Sequence, residues 1–312
     1  MTALDLACAA DLKYLPHCAA MLSSVFATTK GVDITVHFTH FPTFPPEELS
    51  VLSEFVRGAG ARLNTLCVED EVLATLPSTD ALPSVVWQRV LLPQLLPDLD
   101  KILYLDSDVI ALGSVEPLWS LDIDDCYVAA VSNPMHEEMA DWPERIGLPD
   151  SAAYFNSGVL LMNLALLRED QCSERIIRHA VEHPEQVHWG DQCSMNVVLH
   201  ARRYPLHPKW NVMNNFVTYG RGEGLFEDAD LAEALADPQI VHFEGLPESK
   251  PWHYRSEHPY RASYLAHRGR TPWPLMSLEG RNAINIVKKR IPRSVLAGLR
   301  RLRQTARDHR SR

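Results

Sequence analysis

Apolar and polar positions fall in blocks along this chain. Leu4–Ala9, Ile34–Phe38, Leu63–Val68, Ile102–Leu105 and Tyr127–Val131 are short, β-prone and largely apolar. Runs of that length predict strands, the most continuous of them covered on both faces. Between them, Tyr14–Thr29, Glu47–Arg57 and Ser84–Leu96 carry apolar residues at helical spacing, and Pro93 is expected to end or kink the third. The β-α-β-α-β order predicts an α/β fold with a doubly wound, mostly parallel sheet. The second half is less regular. Pro134–Pro149 reads as a loop or lid, Gly158–Asn163 as a strand and Leu166–His183 as one long helix. Asp191–His200 reads as a shorter helix, Val212–Asp230 as a loop with three glycines, and Ile240–Phe243 as a final short strand.

One strand changes the picture. Ile102–Leu105 runs directly into Asp106-Ser107-Asp108. In open α/β sheets ligands collect beyond the carboxyl ends of strands. Two carboxylates one residue apart there can share a divalent cation, and such a cation can hold a diphosphate. The chain has three other Asp-x-Asp pairs, at 98/100, 122/124 and 228/230. These follow a proline, sit in an acidic turn, or lie in the Gly- and acid-rich stretch, so context selects Asp106 and Asp108.

The 312 residues with 46% hydrophobic content describe a globular protein with a large core. The first basic residue is Lys13, so the start is a poor signal peptide. No apolar stretch approaches the ~20 residues that span a bilayer. Six cysteines without a Cys-x-x-Cys pair support neither a zinc site nor a disulfide framework, and a reducing cytoplasm is the expected setting. The net charge of −10 is uneven: ten Lys or Arg against Asp308 give residues 288–312 a charge of +9 and leave −19 on the body. An acidic body argues against nucleic acid as a partner. In the tail Val295, Leu299, Leu302 and Ala306 share a helical face ringed by Arg300, Arg301, Arg303 and Arg307. A basic amphipathic helix of this kind is expected to attach peripherally to an anionic membrane surface. The expected organisation is a catalytic domain over 1–280 and a basic amphipathic C-terminal tail over 281–312.

Five segments, taken together, resemble the retaining glycosyltransferases of family 8, which include lipopolysaccharide galactosyl- and glucosyltransferases and the glycogenins. They are Ala9-Ala10-Asp11…Tyr14, Lys101–Asp108, Tyr154–Asn163, Trp189-Gly190-Asp191-Gln192 and His242-Phe243-Glu244-Gly245…Lys250-Pro251-Trp252-His253, in the family's order. The resemblance implies a GT-A fold, a single doubly wound Rossmann-like mixed sheet flanked by helices. It also implies a UDP-sugar donor (UDP-galactose or UDP-glucose), Mn²⁺ with Mg²⁺ as the alternative, and a glycan or glycolipid acceptor. Under it Asp106, Asp108 and His242 are metal ligands, and a mixed oxygen and nitrogen set suits Mn²⁺ better than Mg²⁺. Ala9, Asp11, Tyr14, Arg89, Ser107, Gly245 and Lys250 join the two aspartates in binding the donor. Asp11 takes the uracil imide, Tyr14 stacks on the base, Arg89 meets the sugar or diphosphate and Lys250 meets the phosphates. Asn156, Asp191 and Gln192 line the sugar pocket, with Gln192 stabilising developing charge. Read without the resemblance, Asp11 is a helix cap, His242 a strand-end histidine and Arg89 a surface ion-pair partner. The expected place of work is the inner face of the cytoplasmic membrane.

The family's His-x-x-Gly-x-x-Lys-Pro-Trp spacing is broken here, because four residues separate Gly245 from Lys250. The expectation is an outward bulge with Lys250 still in reach. Glycoside hydrolysis would need an isolated pair of flanking carboxyls, which the sequence lacks. The remaining rival is a non-catalytic nucleotide-sugar- or glycan-binding protein on the same fold.

Overall fold

The structure is a computed structural model that describes residues 2–69, 73, 76–78, 83–218, 220, 222, 224–275 and 277–290. The strands are β1 Ala3–Ala9, β2 Asp33–His40, β3 Arg62–Cys67, β4 Lys101–Leu105, β5 Val109–Ala111, β6 Val128–Ala130, β7 Val159–Asn163, β8 Arg203–Pro205, β9 Val212–Met213 and β10 Ile240–His242. The longer helices are α1 Leu15–Thr28, α2 Pro46–Gly58, α3 Leu164–Glu169, α4 Cys172–Glu182, α5 Asp191–Leu199, α6 Asp228–Ala236, α7 Arg261–Arg268 and α8 Ala283–Arg290.

A seven-stranded sheet runs in the order β3-β2-β1-β4-β7-β6-β8. β3, β2, β1 and β4 are parallel, while β7 is antiparallel to both β4 and β6. The sheet is thus mixed, as the resemblance implies, and less parallel than the bare β/α alternation suggests. Period-two side-chain alternation feeds two cores. Leu103 and Leu105 of β4 join Leu6, Met21, Val25 and Val56 on the face covered by α1 and α2. Ile102 and Tyr104 join Trp87, Leu164, Ile176 and Met195 on the face covered by the segment 84–95 and α3 to α5. Each fully buried aliphatic side chain contributes about 1.5–3 kcal/mol, which explains why central strands read as apolar runs.

Three expectations need correction. Leu166–His183 is two helices, because Gln171 takes a left-handed conformation (φ 51°) between α3 and α4. Asp170, just before the break, accepts hydrogen bonds from Tyr127 and Arg202. Val212–Asp230 is not all loop: it opens with β9 and a helical turn over Asn214–Val217, and ends in the first turn of α6. Asp228 and Asp230 therefore lie in that first turn, where carboxylates favour the helix dipole. Ser84–Leu96 is a 3₁₀ run over Ser84–Leu91, then one α turn with Pro93 in its first positions. The amphipathic face expected at Val295–Ala306 lies outside the described residues. No helix among the described residues is long and apolar enough to cross a membrane.

Candidate active site

The strand β5, unforeseen in the sequence, brings distant parts of the chain together. It follows Asp108 immediately and pairs antiparallel with β10, His242 opposite Val109. The Phe243 N–H donates to the Asp108 carbonyl at 2.9 Å. On the other side of β4, Leu105 pairs with Val159, and the Asp106 N–H donates to the Gly158 carbonyl at 2.8 Å. Asp106, Asp108, His242 and Gly158 thus meet at the carboxyl edge of the sheet.

Ligand atoms of Asp106, Asp108 and His242 all lie within 4.8 Å of one another. His242 Nε2 stands 3.2 Å from Asp108 Oδ1 and 3.9 Å from Asp106 Oδ2. Its Nδ1 lies 3.1 Å from Asn211 Oδ1, so Nδ1–H donates there and Nε2 can turn its lone pair to the carboxylates. Two hard oxygen donors and one imidazole nitrogen fit a divalent cation such as Mn²⁺. The fit is close: a Cβ on Gly158 would fall 2.8 Å from Asp106 Oδ2 and 2.9 Å from His242 Nδ1, and nearer still to His242 Cε1.

Lys250 is buried and forms an ion pair with Asp108 Oδ2. Burial alone would raise the Asp108 pKa, but Lys250 and then His242 outweigh it and hold the carboxyl well below its ordinary range. Burial opposes the charged forms of His242 and Lys250, yet Asp108 outweighs it and raises both. The longer loop before Lys250 bulges as expected. Gly245 turns at φ +88°, Pro247–Ser249 form a 3₁₀ turn and Leu246 is 60% exposed. Asn214 Nδ2 ties the base of the bulge by donating to the Glu244 carbonyl and Ser249 Oγ. Glu248 faces away and pairs with Arg255 at 3.4 Å.

Arg89 is buried, not the surface partner of the plain residue reading. Its Nη1 lies 3.0 Å from Asp106 Oδ1 and donates to the Ser157 carbonyl at 2.6 Å. Its Nε lies 2.9 Å from Asp191 Oδ2 but directs its proton at the Val86 carbonyl, leaving that carboxylate oxygen without a hydrogen bond. The guanidinium therefore bridges Asp106 and Asp191 as a charge. Burial lifts Asp191 to about 7, more than Arg89 can offset. Gly190 adopts φ 60°, ψ −138° before α5, a conformation that glycine reaches without strain. That turn delivers Asp191 and Gln192 to the buried floor.

Gln192 Oε1 accepts from the Ser157 N–H at 3.0 Å and from Asn156 Nδ2 at 3.2 Å, while its Nε2 donates to Tyr154 Oη at 3.2 Å. Asn156 Oδ1 accepts from the Gly158 N–H and from Asn211 Nδ2. At the nucleotide end, Ser107 Oγ donates to the Ala9 carbonyl at 2.8 Å, locking the ends of β4 and β1 together. Asp11 Oδ1 accepts the Tyr14 N–H at 2.7 Å and so closes the turn that leads into α1, whose N-cap is Tyr14 and not Asp11. Tyr14 stands edge-on to Trp252, with 6.1 Å between centroids. His17 stacks on the same indole at 3.6 Å. Sequence reasoning missed Asn211, Tyr154 and the Gly158 contact. Tyr154 and Gly158 had a signal, since both lie within the quoted segment Tyr154–Asn163, and Asn211 had none.

Known proteins share this chain's sequence family and its fold. The description "Glycosyl transferase family 8" matches residues 5–256. General stress protein A of Bacillus subtilis is 26% identical over 284 residues, covering 88% of this chain and 96% of that protein. Lipopolysaccharide glucosyltransferase WaaO of Escherichia coli K12 is 27% identical over 293 residues, covering 86% and 79%. The crystal structure of the galactosyltransferase LgtC with donor and acceptor sugar analogues superposes with a TM-score of 0.75 at 22% identity, over 86% of this chain and 96% of LgtC. The fold is that of LgtC, the GT-A fold.

Proposed function

The chain belongs to glycosyl transferase family 8 and is a glycosyltransferase, and from that premise we propose that it moves galactose or glucose from a UDP-sugar to a glycan or glycolipid, with Mn²⁺ and with retention at the anomeric carbon. The observation that carries this reading is the convergence of Asp106, Asp108 and His242 with the buried cation of Lys250. The names of two relatives, a lipopolysaccharide glucosyltransferase and a lipopolysaccharide 1,3-galactosyltransferase of Salmonella typhimurium, support the hexose and the glycolipid.

Asp106, Asp108 and His242 would hold the cation. A bound cation would supply Lewis-acid neutralisation of the departing nucleoside diphosphate. Lys250 would exchange Asp108 for a phosphate oxygen as a point charge, while Gly245 lets the backbone approach. Ala9, Asp11, Tyr14 and Ser107 frame the nucleoside. Arg89 has committed two of its nitrogens to protein groups, so its work is to hold Asp106 and Asp191 in register beside the donor. Asn156 and Asp191 meet sugar hydroxyls. Gln192 Oε1 is already engaged by protein donors, and an amide is a poor nucleophile; the residue stabilises oxocarbenium character with its dipole. The acceptor hydroxyl then attacks on the face the diphosphate leaves, so that the new glycosidic bond forms as the bond to the diphosphate breaks and the hydroxyl proton passes to the departing diphosphate oxygen. In the C-terminal part, Ile284 and Val287 of α8 are 65% and 58% exposed just before the basic run, which favours peripheral attachment of residues 281–312 to the cytoplasmic leaflet.

UDP release from a panel of UDP-sugars, with and without Mn²⁺, tests the activity, with Asp108→Asn as control. Metal-dependent release from one UDP-hexose, lost in the variant, is the expected result. Absence of metal-dependent turnover with every donor sinks the reading. Liposome co-sedimentation with and without residues 288–312 tests the attachment, and equal partition of the two forms removes it.

A further inference from the structure

A chain of hydrogen bonds with one polarity crosses the buried floor of the site. His242 Nδ1–H donates to Asn211 Oδ1 (3.1 Å), and Asn211 Nδ2 donates to Asn156 Oδ1 (2.9 Å). Asn156 Nδ2 donates to Gln192 Oε1 (3.2 Å), and Gln192 Nε2 donates to Tyr154 Oη (3.2 Å). Tyr154 Oη lies 3.2 Å from Cys193 Sγ, a contact in which either group can donate. Amide oxygens and nitrogens are hard to tell apart by shape alone, so such a polarity needs an anchor. Here the main chain supplies two. The Ser157 N–H points at Gln192 Oε1 (3.0 Å), and the Gly158 N–H points at Asn156 Oδ1 (3.0 Å). A backbone N–H only donates, so both atoms are oxygens. Asn211 must then present its NH₂ to Asn156 and its oxygen to His242. The oxygen in turn requires the imidazole proton on Nδ1.

We propose that Asn211 is a positioning residue for both halves of the site, holding His242 in the Nδ1–H tautomer with Nε2 free to ligate, and securing with its NH₂ the position of Asn156 beside Gln192, whose amide the Ser157 N–H orients. The assignment rests on reading Asp106, Asp108 and His242 as the cation site. An imidazole without that partner can carry its proton on Nε2, where it faces the cation and ligates nothing. Asn211 is fully buried, between the 3₁₀ turn Pro208–Trp210 and β9. Water cannot readily take its place.

Two variants separate the two halves. Asn211→Leu removes both bonds. Asn211→Asp still accepts from Nδ1–H but donates nothing to Asn156. In the metal-free full chain at pH 9, ¹⁵N chemical shifts of His242 report the tautomer. The wild type is expected to show a protonated Nδ1, and Asn211→Leu to lose that signature. Mn²⁺ titration by calorimetry is expected to show a roughly 10–100-fold weaker affinity in Asn211→Leu, with affinity held or raised in Asn211→Asp. Turnover of the Asp variant is expected to drop about tenfold at unchanged donor KM, the mark of an interaction made only in the transition state. A wild-type Nδ1 without its proton, or an unaltered tautomer in Asn211→Leu, overturns the proposal. So does a parallel loss of Mn²⁺ affinity and turnover in both variants, which is what a purely structural role gives. If the wild type binds no Mn²⁺, the cation reading falls, and the tautomer measurement still decides what Asn211 does.

Discussion

Replacing Gly158 by alanine adds one methyl group at the most crowded point of the site. The backbone tolerates the change, because Gly158 is not among the glycines with positive φ. Space does not. The new Cβ would sit 2.8 Å from Asp106 Oδ2 and 2.9 Å from His242 Nδ1, with His242 Cε1 closer still. Ordinary carbon contacts lie near 3.5–4.0 Å, so the imidazole must retreat by about 1 Å. It has little room to do so, since β10 is hydrogen-bonded on both sides, to β5 and β9, and His242 is also tied to Asn211. A misplacement of about 1 Å in a reacting constellation costs on the order of 10²-fold, or about 2.7 kcal/mol of barrier. Overpacking of this kind also lowers stability by about 1–3 kcal/mol. The assay is kcat/KM for UDP release across a Mn²⁺ titration, with urea midpoints to verify folding. Gly113→Ala is the matched control, because the nearest atoms its Cβ would meet are those at the side-chain end of Gln239, an amide able to swing aside. The expected result is a ~100-fold loss and a rightward Mn²⁺ dependence for Gly158→Ala, and wild-type behaviour for Gly113→Ala. A Gly158→Ala enzyme within threefold of wild type at equal Mn²⁺ would refute the reasoning, by showing slack between β4, β7 and β10.

Two pH predictions have opposite signs. Asp191 is raised from 3.8 to about 7 by burial, so the folded state holds its proton over a window where the unfolded chain has lost it; stability is full below about pH 4 and falls as pH rises to about 7, by about 4 kcal/mol at most. Asp191→Asn should gain on the wild type through that window in urea melts, and a pH-independent difference would count against the assigned burial cost. His17 is lowered to about 3, first by burial and then by Arg268, so its contribution is present above about pH 6.5 and lost as pH falls towards 3. His17→Gln, which keeps an acceptor for Tyr264 Oη, should lose less stability than the wild type between pH 7 and pH 5, and an equal loss would show that His17 does not carry the acid sensitivity.

Much of the fold was legible because the central strands are buried on two faces and so print themselves as apolar blocks. The misreadings share a cause. Leu166, Leu167, Ile176 and Ile177 keep a helical apolar rhythm across Gln171, and no glycine or proline marks the left-handed turn there. The break is held by tertiary bonds to Asp170, from Tyr127 and Arg202, and no local pattern encodes those. Strand β5, Val109–Ala111, was hidden in another way: it directly follows the acidic pair, and only its partner β10, far along the chain, makes it a strand.

The site divides along the same line. Asp106 and Asp108 stood out by residue type and by their place after an apolar strand, while His242, Lys250, Asp191 and Gln192 were marked only through the resemblance. Asn211 carries no such mark, because an asparagine in an apolar stretch reads as a turn or a cap. Its role arises only from what lies on either side, the His242 imidazole and Asn156 Oδ1. The same holds for Gly158, whose missing side chain matters only because β10 brings His242 against it. Groups that do chemistry are constrained by what they are, and groups that aim them by where they are. Asn211→Asp keeps the acceptor and removes the donor at that one buried position, so it separates being there from being an amide.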